Sequence, residues 1–112
     1  MKPDYGAIIT FIGTIRNTSQ GKKVAYLERK TYGETTGKRL REIVSEINKR
    51  WQLQDIVICC RTGKLNVGEI GLVIAVAAPH RQEAFQACQY AVDSIKQAGV
   101  VAEKEAYQDG PG

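Results

Sequence analysis

Ile70-Gly-Leu-Val-Ile-Ala-Val-Ala-Ala78, followed at once by Pro79-His80-Arg81, is the stretch whose reading decides the fold. An almost unbroken apolar run of this length describes a buried strand. Pro79 has no N–H to give to a ladder and ends it. Beyond the turn, Ala84, Phe85, Cys88, Ala91, Val92 and Ile95 recur at helical spacing, which predicts a helix from Arg81 to Lys96. The chain therefore passes from buried strand straight into helix. The only histidine, His80, and its neighbour Arg81 sit where the first unpaired N–H groups of that helix point outward. That is an anion site by geometry and by charge.

Upstream, Gly6 to Gly13 is apolar and β-branched and reads as a central strand. Thr14 to Lys23 holds Arg16, Asn17, Thr18, Ser19, Gln20 and Gly21, a loop composition with two or three potential anion contacts. Val24 to Tyr32 alternates Val24, Tyr26 and Glu28 against Ala25, Leu27 and Arg29, the pattern of a half-exposed strand closed by Gly33. Thr35 or Thr36 is suited to cap the next helix, whose Leu40, Ile43, Val44, Ile47 and Trp51 form one apolar stripe. Its other face mixes Lys38, Arg39, Arg41, Glu42, Glu46, Lys49 and Arg50, which reads as a solvated surface. Asp55 to Thr62 is a further strand and Gly63 to Glu69 a turn. Gly99 is placed to end the second helix, and Val100-Val101-Ala102 begins a last strand. The tail from Gln108 to Gly112 is expected to be mobile. The order β-β-α-β-β-α-β, with two helices on a mixed or antiparallel sheet, is an α+β layout, read as one domain over residues 1–112.

The bulk numbers narrow the function classes. With 43% hydrophobic and 25% charged residues, the chain has an ordinary globular composition. A net charge of +4 and a pI of about 9.1 suit an anionic ligand or an acidic partner but are too small and dispersed to argue for nucleic acid. No run is long enough to span a membrane, and no signal peptide is evident. The three cysteines lie in apolar runs without metal spacing. They read as reduced, partly buried thiols of a cytoplasmic protein. Without a second histidine, neither metal catalysis nor a Ser-His-Asp arrangement is supported.

Two residues remain as chemistry. His80 could act as base, acid, phosphate donor or packed polar group. Lys96 shares the solvent side of the second helix with Gln82, Gln89 and Asp93. It is either an exposed lysine paired with Asp93 or a cation poised as acid and charge stabiliser. Fifteen residues of helix separate Arg81 from Lys96, roughly 22 Å at about 1.5 Å per residue. His80 and Lys96 of one chain thus cannot share a small-molecule site. Either there are two sites, or a second copy in a two-fold dimer supplies one of the groups.

Gly6 to Asn17, Trp51, Arg61-Thr-Gly-Lys-Leu-Asn-Val-Gly-Glu69, Pro79-His80-Arg81 with Phe85, Asp93 to Lys96 and Glu103-Lys104-Glu105 together resemble the large, catalytic subunit of molybdopterin synthase. The likeness covers nearly the whole chain, with the motifs in the family's order. It implies an α/β-hammerhead-like fold and a sulfurtransferase of molybdenum cofactor biosynthesis with no metal or organic cofactor of its own. It also implies a homodimer at the core of a heterotetramer. The partner would be a small ubiquitin-like sulfur carrier with a Gly-Gly C-terminus, whose thiocarboxylate delivers two sulfurs to cyclic pyranopterin monophosphate. By position, Arg16 looks like the family's phosphate-binding arginine, His80 and Arg81 like its His-Arg pair, and Lys96 like its helix lysine; Glu105 joins the substrate contacts.

One place departs from the pattern. Alignment on Glu105 puts Glu103 where the family has a second catalytic lysine, and Lys104 fills that role only through a one-residue shift. The chain also ends at Gly112, ahead of the family's basic and aromatic tail, and lacks its N-terminal extension. A carrier-binding module without turnover is therefore the rival reading. A small RNA-binding domain is a weaker third, since no aromatic stacking motif is present.

Overall fold

A computed structural model describes residues 3–108. Strands β1 (Ala7–Thr14), β6 (Ile70–Ala78) and β4 (Ile56–Cys60) form one antiparallel sheet in that order. Ile8 faces Ala77 and Ile12 faces Val73 across one ladder, while Ile58 faces Ile74 across the other. The decisive apolar run is thus the middle strand. Helices α1 (Glu34–Trp51) and α2 (Arg81–Ala98) cover one face of this sheet. Between them lie Ile43, Ile47, Leu53, Leu72, Ile74, Val76, Ala84, Ala87, Ala91, Ile95 and Val100, all buried. Fully burying a side chain of the Val, Leu or Ile kind contributes about 1.5–3 kcal/mol. This layer therefore supplies most of the driving force for folding.

A second antiparallel sheet is centred on β3 (Lys22–Thr31). It is flanked by β7 (Val101–Tyr107) on one side and by β5 (Gly63–Asn66) and the two-residue β2 (Thr18–Ser19) in further pairings. Its own core is small: Ile15, Leu27 and Leu65. The chain measures 56 × 28 × 19 Å with a radius of gyration of 16.0 Å, above the roughly 13 Å of a compact 100-residue domain. The elongation arises because the two sheets follow one another rather than stack. Arg29 of β3 links them: its Nη1 donates to the Gly71 carbonyl of β6 and, at 3.1 Å, to the Arg61 carbonyl just after β4.

The α+β class holds, and every strand pairing among the described residues is antiparallel. Several local expectations change. β1 is an edge strand, not a central one. Its inward residues Ala7, Ile9 and Phe11 pack on the core, whereas Ile8 and Ile12 are 56% and 54% exposed. An edge strand with apolar residues on both faces has the same composition as a buried one, so periodicity could not tell them apart. The stretches read as loop and turn contain β2 and β5, both too short to show a period. Phe85, read into the helix stripe, is 57% exposed, because Ala84 beside it takes the core position. Cys59 is exposed on the outward side of β4, so only Cys60 and Cys88 are sheltered, and all three are free thiols.

The α1 cap is Gly33 at φ 61°, not Thr35 or Thr36. Thr36 sits inside the first turn. It is buried, its hydroxyl accepting from the Tyr32 N–H at 2.8 Å and donating to the Val100 carbonyl at 2.7 Å. It thus ties the start of α1 to the residue before β7. Gly99, left-handed at φ 60°, ends α2 as expected. Arg39 of α1 donates to the Ala98 and Gly99 carbonyls there, at 3.0 and 2.7 Å, satisfying acceptors that the helix end leaves free. No described helix is long and apolar enough to cross a membrane. Residues 109–112 of the tail expected to be mobile lie outside the described residues.

Candidate active site

The junction of the two sheets opens as a cleft of about 460 Å³. Its apolar wall comes from the core edge: Phe11, Leu72, Ile95 and Val100. Its polar groups come from six elements. β1 runs out through Ile15 into the turn bearing Arg16, and β2 contributes Ser19. β3 contributes Arg29, and β4 ends in Cys60. The last turn of α2 presents Lys96, and β7 adds Glu103 and Glu105. Chain segments far apart in sequence thus bring three cations and two carboxylates to one concavity, the setting expected of a small-molecule site.

The carboxylates differ in their surroundings. Glu105 accepts a 2.9 Å hydrogen bond from the Ser19 hydroxyl, which fixes its direction. Glu103 lies directly across the ladder from Arg29, with Oε1 3.4 Å from Nε. Burial pushes the Cys60 thiol up, only partly offset by Arg29 nearby, with Glu103 adding to the rise. Cys60 therefore stays a thiol near neutral pH and does not itself offset the Arg29 charge, which is paired with Glu103. Asp93 and Lys96 make no ion pair within 4 Å of each other, although the sequence allowed one; the described ion pairs are Arg29–Glu103, Arg50–Glu46 and Arg61–Glu69.

Arg16, Lys96 and Glu105 are brought together. Lys104 is not among the cleft residues. The register pairs Arg29 with Glu103, Glu28 with Lys104 and Leu27 with Glu105. Neighbours on a strand face opposite sides, so Glu103 and Glu105 look into the cleft and Lys104 looks out with Glu28. The one-residue shift that would put Lys104 inside is not the register this strand adopts. His80 and Arg81 also lie outside the cleft, exposed at the opposite end of α2. His80 is the extended residue that precedes the helix, at φ −127° and ψ 146°, so the strand-to-helix turn has the expected form. Among the described residues no three His, Cys, Asp or Glu groups converge as a metal would need.

Sequence reading passed over Arg29 and Cys60. For Arg29 a signal existed: it shares strand parity with Leu27, and that face proves to be the buried one, leaving Arg29 only 8% exposed. Ser19 stood in the sequence only as part of a loop with potential anion contacts; nothing local marked its bond to Glu105, 86 residues away.

Residues 1–98 match the family described as MoaE protein, so β7 lies beyond the matched span. The chain is 39% identical over 108 residues to the molybdopterin synthase catalytic subunit of Halalkalibacterium halodurans, covering 96% of this chain and 69% of that protein. The crystal structure of molybdopterin synthase from Staphylococcus aureus superposes with a TM-score of 0.90 at 35% identity, covering 98% of this chain and 80% of that one. A complex of subunits 1 and 2 of molybdopterin-converting factor from Helicobacter pylori shares the fold, with a TM-score of 0.71 at 13% identity over 93% of this chain and 72% of that one. With this family match, this degree of identity and a cleft that gathers Arg16, Lys96 and Glu105, the chain belongs to the MoaE family of molybdopterin synthase catalytic subunits.

Proposed function

We propose that this chain is the sulfur-transferring subunit of a molybdopterin synthase. It would take two sulfurs from the thiocarboxylated C-terminus of a small carrier protein and place them on cyclic pyranopterin monophosphate. The observation that carries the reading is the convergence of Arg16 and Lys96 in one cleft from opposite ends of the chain. Arg16 offers a guanidinium fork to a phosphate. Lys96 supplies a proton and a cation where negative charge develops as sulfur adds. Glu105, held by Ser19, orients the substrate's polar edge. A carrier's C-terminal tail is an extended segment that an open cleft of this size admits. A solved complex of the same fold with a second subunit supports such a partner. Free thiols accord with a cytoplasmic setting.

A homodimer would complete the site. The outer face of the β1-β6-β4 sheet carries Ile8, Ile12 and Val57, each more than half exposed, an apolar surface that asks for a cover. One end of the same three strands leads through Thr14 and Cys60 into the cleft, and the other leads through Ala78 to His80. β6 is about 27 Å long at about 3.4 Å per residue. A two-fold contact over this face, with strands running oppositely, carries His80 and Arg81 of one protomer toward the cleft of its mate. That arrangement reconciles two functional groups that one helix holds roughly 22 Å apart.

The test is reconstituted turnover with thiocarboxylated carrier and cyclic pyranopterin monophosphate, using wild type and Lys96→Ala. The expected result is dithiolene product from wild type and none from the variant, with the dimer intact in both. Near wild-type turnover in Lys96→Ala would remove Lys96 from the mechanism. Carrier binding without product from wild type would instead favour the non-catalytic binding module.

A further inference from the structure

Among the described residues Arg29 is the one charged side chain that is buried, and it stands in the cleft. Its Nη1 donates to the Gly71 carbonyl and, at 3.1 Å, to the Arg61 carbonyl, with Cys60 Sγ at 3.6 Å. Every one of these acceptors is neutral. Its Nε is buried and has no hydrogen-bond partner. Glu103 Oε1 lies 3.4 Å away, close enough to count as an ion contact yet not aligned as a hydrogen bond. Leaving a buried charged donor unmade is costly, so this N–H is held ready for an acceptor the chain does not itself provide. The Glu103 side chain is 47% exposed and can swing to water. Glu105, the other carboxylate, is already engaged by Ser19.

We propose that Arg29 is a second anion-binding arginine on the cleft wall, with Glu103 as its displaceable cover. In the empty cleft Glu103 shields the guanidinium. An entering phosphate monoester takes the Nε donor, and Glu103 moves out to solvent. Arg16 and Arg29 then hold one phosphate from two sheets. Arg29 is thus a substrate-binding residue, and Glu103 a positioning residue that acts through it. The phosphate comes from the function proposed above, but the interaction is testable without turnover.

The experiment measures the affinity of inorganic phosphate for the full chain by calorimetry and ³¹P NMR, in wild type, Glu103→Gln, Arg29→Gln and the double variant. Removing the carboxylate that competes with phosphate for the Arg29 guanidinium should tighten binding about fivefold in Glu103→Gln. Arg29→Gln should weaken it by at least as much, and Glu103→Gln should then change nothing in the Arg29→Gln background. If Glu103→Gln leaves affinity unchanged or lowers it, the inference is overturned. It is equally overturned if the gain persists undiminished without Arg29, since Glu103 would then act by direct repulsion. Should Arg29→Gln not fold, Arg29→Met replaces it, removing the charge while keeping an unbranched stem; an undiminished Glu103→Gln gain there overturns the idea as well. Failed sulfur transfer with an intact phosphate cycle would sink the proposed function and leave this inference standing; the converse result would do the reverse.

Discussion

Thr36→Val isolates one hydroxyl on which the alignment of the two sheets depends. The Thr36 side chain accepts from Tyr32 N–H and donates to the Val100 carbonyl. Val100 is 1% exposed, so its carbonyl has no water to fall back on. Losing that bond costs about 1–3 kcal/mol, the penalty of an orphaned buried acceptor. Tyr32 is half exposed, so its N–H can be rehydrated, and its loss adds about 0.5–1.5 kcal/mol. The sum, about 1.5–4.5 kcal/mol, corresponds to a fall in Tm of roughly 6–18 °C at about 4 °C per kcal/mol for a chain near this size. Chemical denaturation and thermal scans of wild type, Thr36→Val and Thr36→Ser measure it, with Ser as the control that keeps the hydroxyl. Ser should recover most of the loss. A Val variant within about 0.5 kcal/mol of wild type, the usual effect of an uninvolved surface substitution, would refute the assignment. So would a Ser variant as unstable as Val, because the methyl group and not the hydroxyl would then carry the effect.

Two further outcomes are expected. Ile12→Lys, on the outer sheet face, should turn a dimer into a monomer in sedimentation velocity while leaving the circular dichroism spectrum unchanged, since Ile12 is 54% exposed within one chain; an unchanged dimer would move the interface elsewhere. Alkylation of Cys60 in a Cys59→Ser background should accelerate only at a pH above the usual thiol range of about 8.5, because burial disfavours the thiolate and Arg29 only partly opposes it. A midpoint below that range would mean that the Arg29 charge outweighs burial.

The sequence by itself determined the elements whose signals are local. The run from Ile70 to Ala78 is a strand because nine consecutive residues favour burial. Pro79 ends it, α2 follows from its 3.6-residue period, and Gly99 stops it because glycine enters the left-handed region at little cost. The separation of His80 from Lys96 was likewise fixed by helix rise alone. Tertiary structure decided what depends on partners distant along the chain. It made β1 an edge, because pairing order is not written in composition. It turned Glu103 and Glu105 inward and Lys104 outward, because facing depends on the register with β3. It buried Arg29 and lodged its guanidinium among carbonyls of two other segments. A strand of alternating polarity states that one face is buried; only the packing of the second sheet says which side chain of that face meets a cleft.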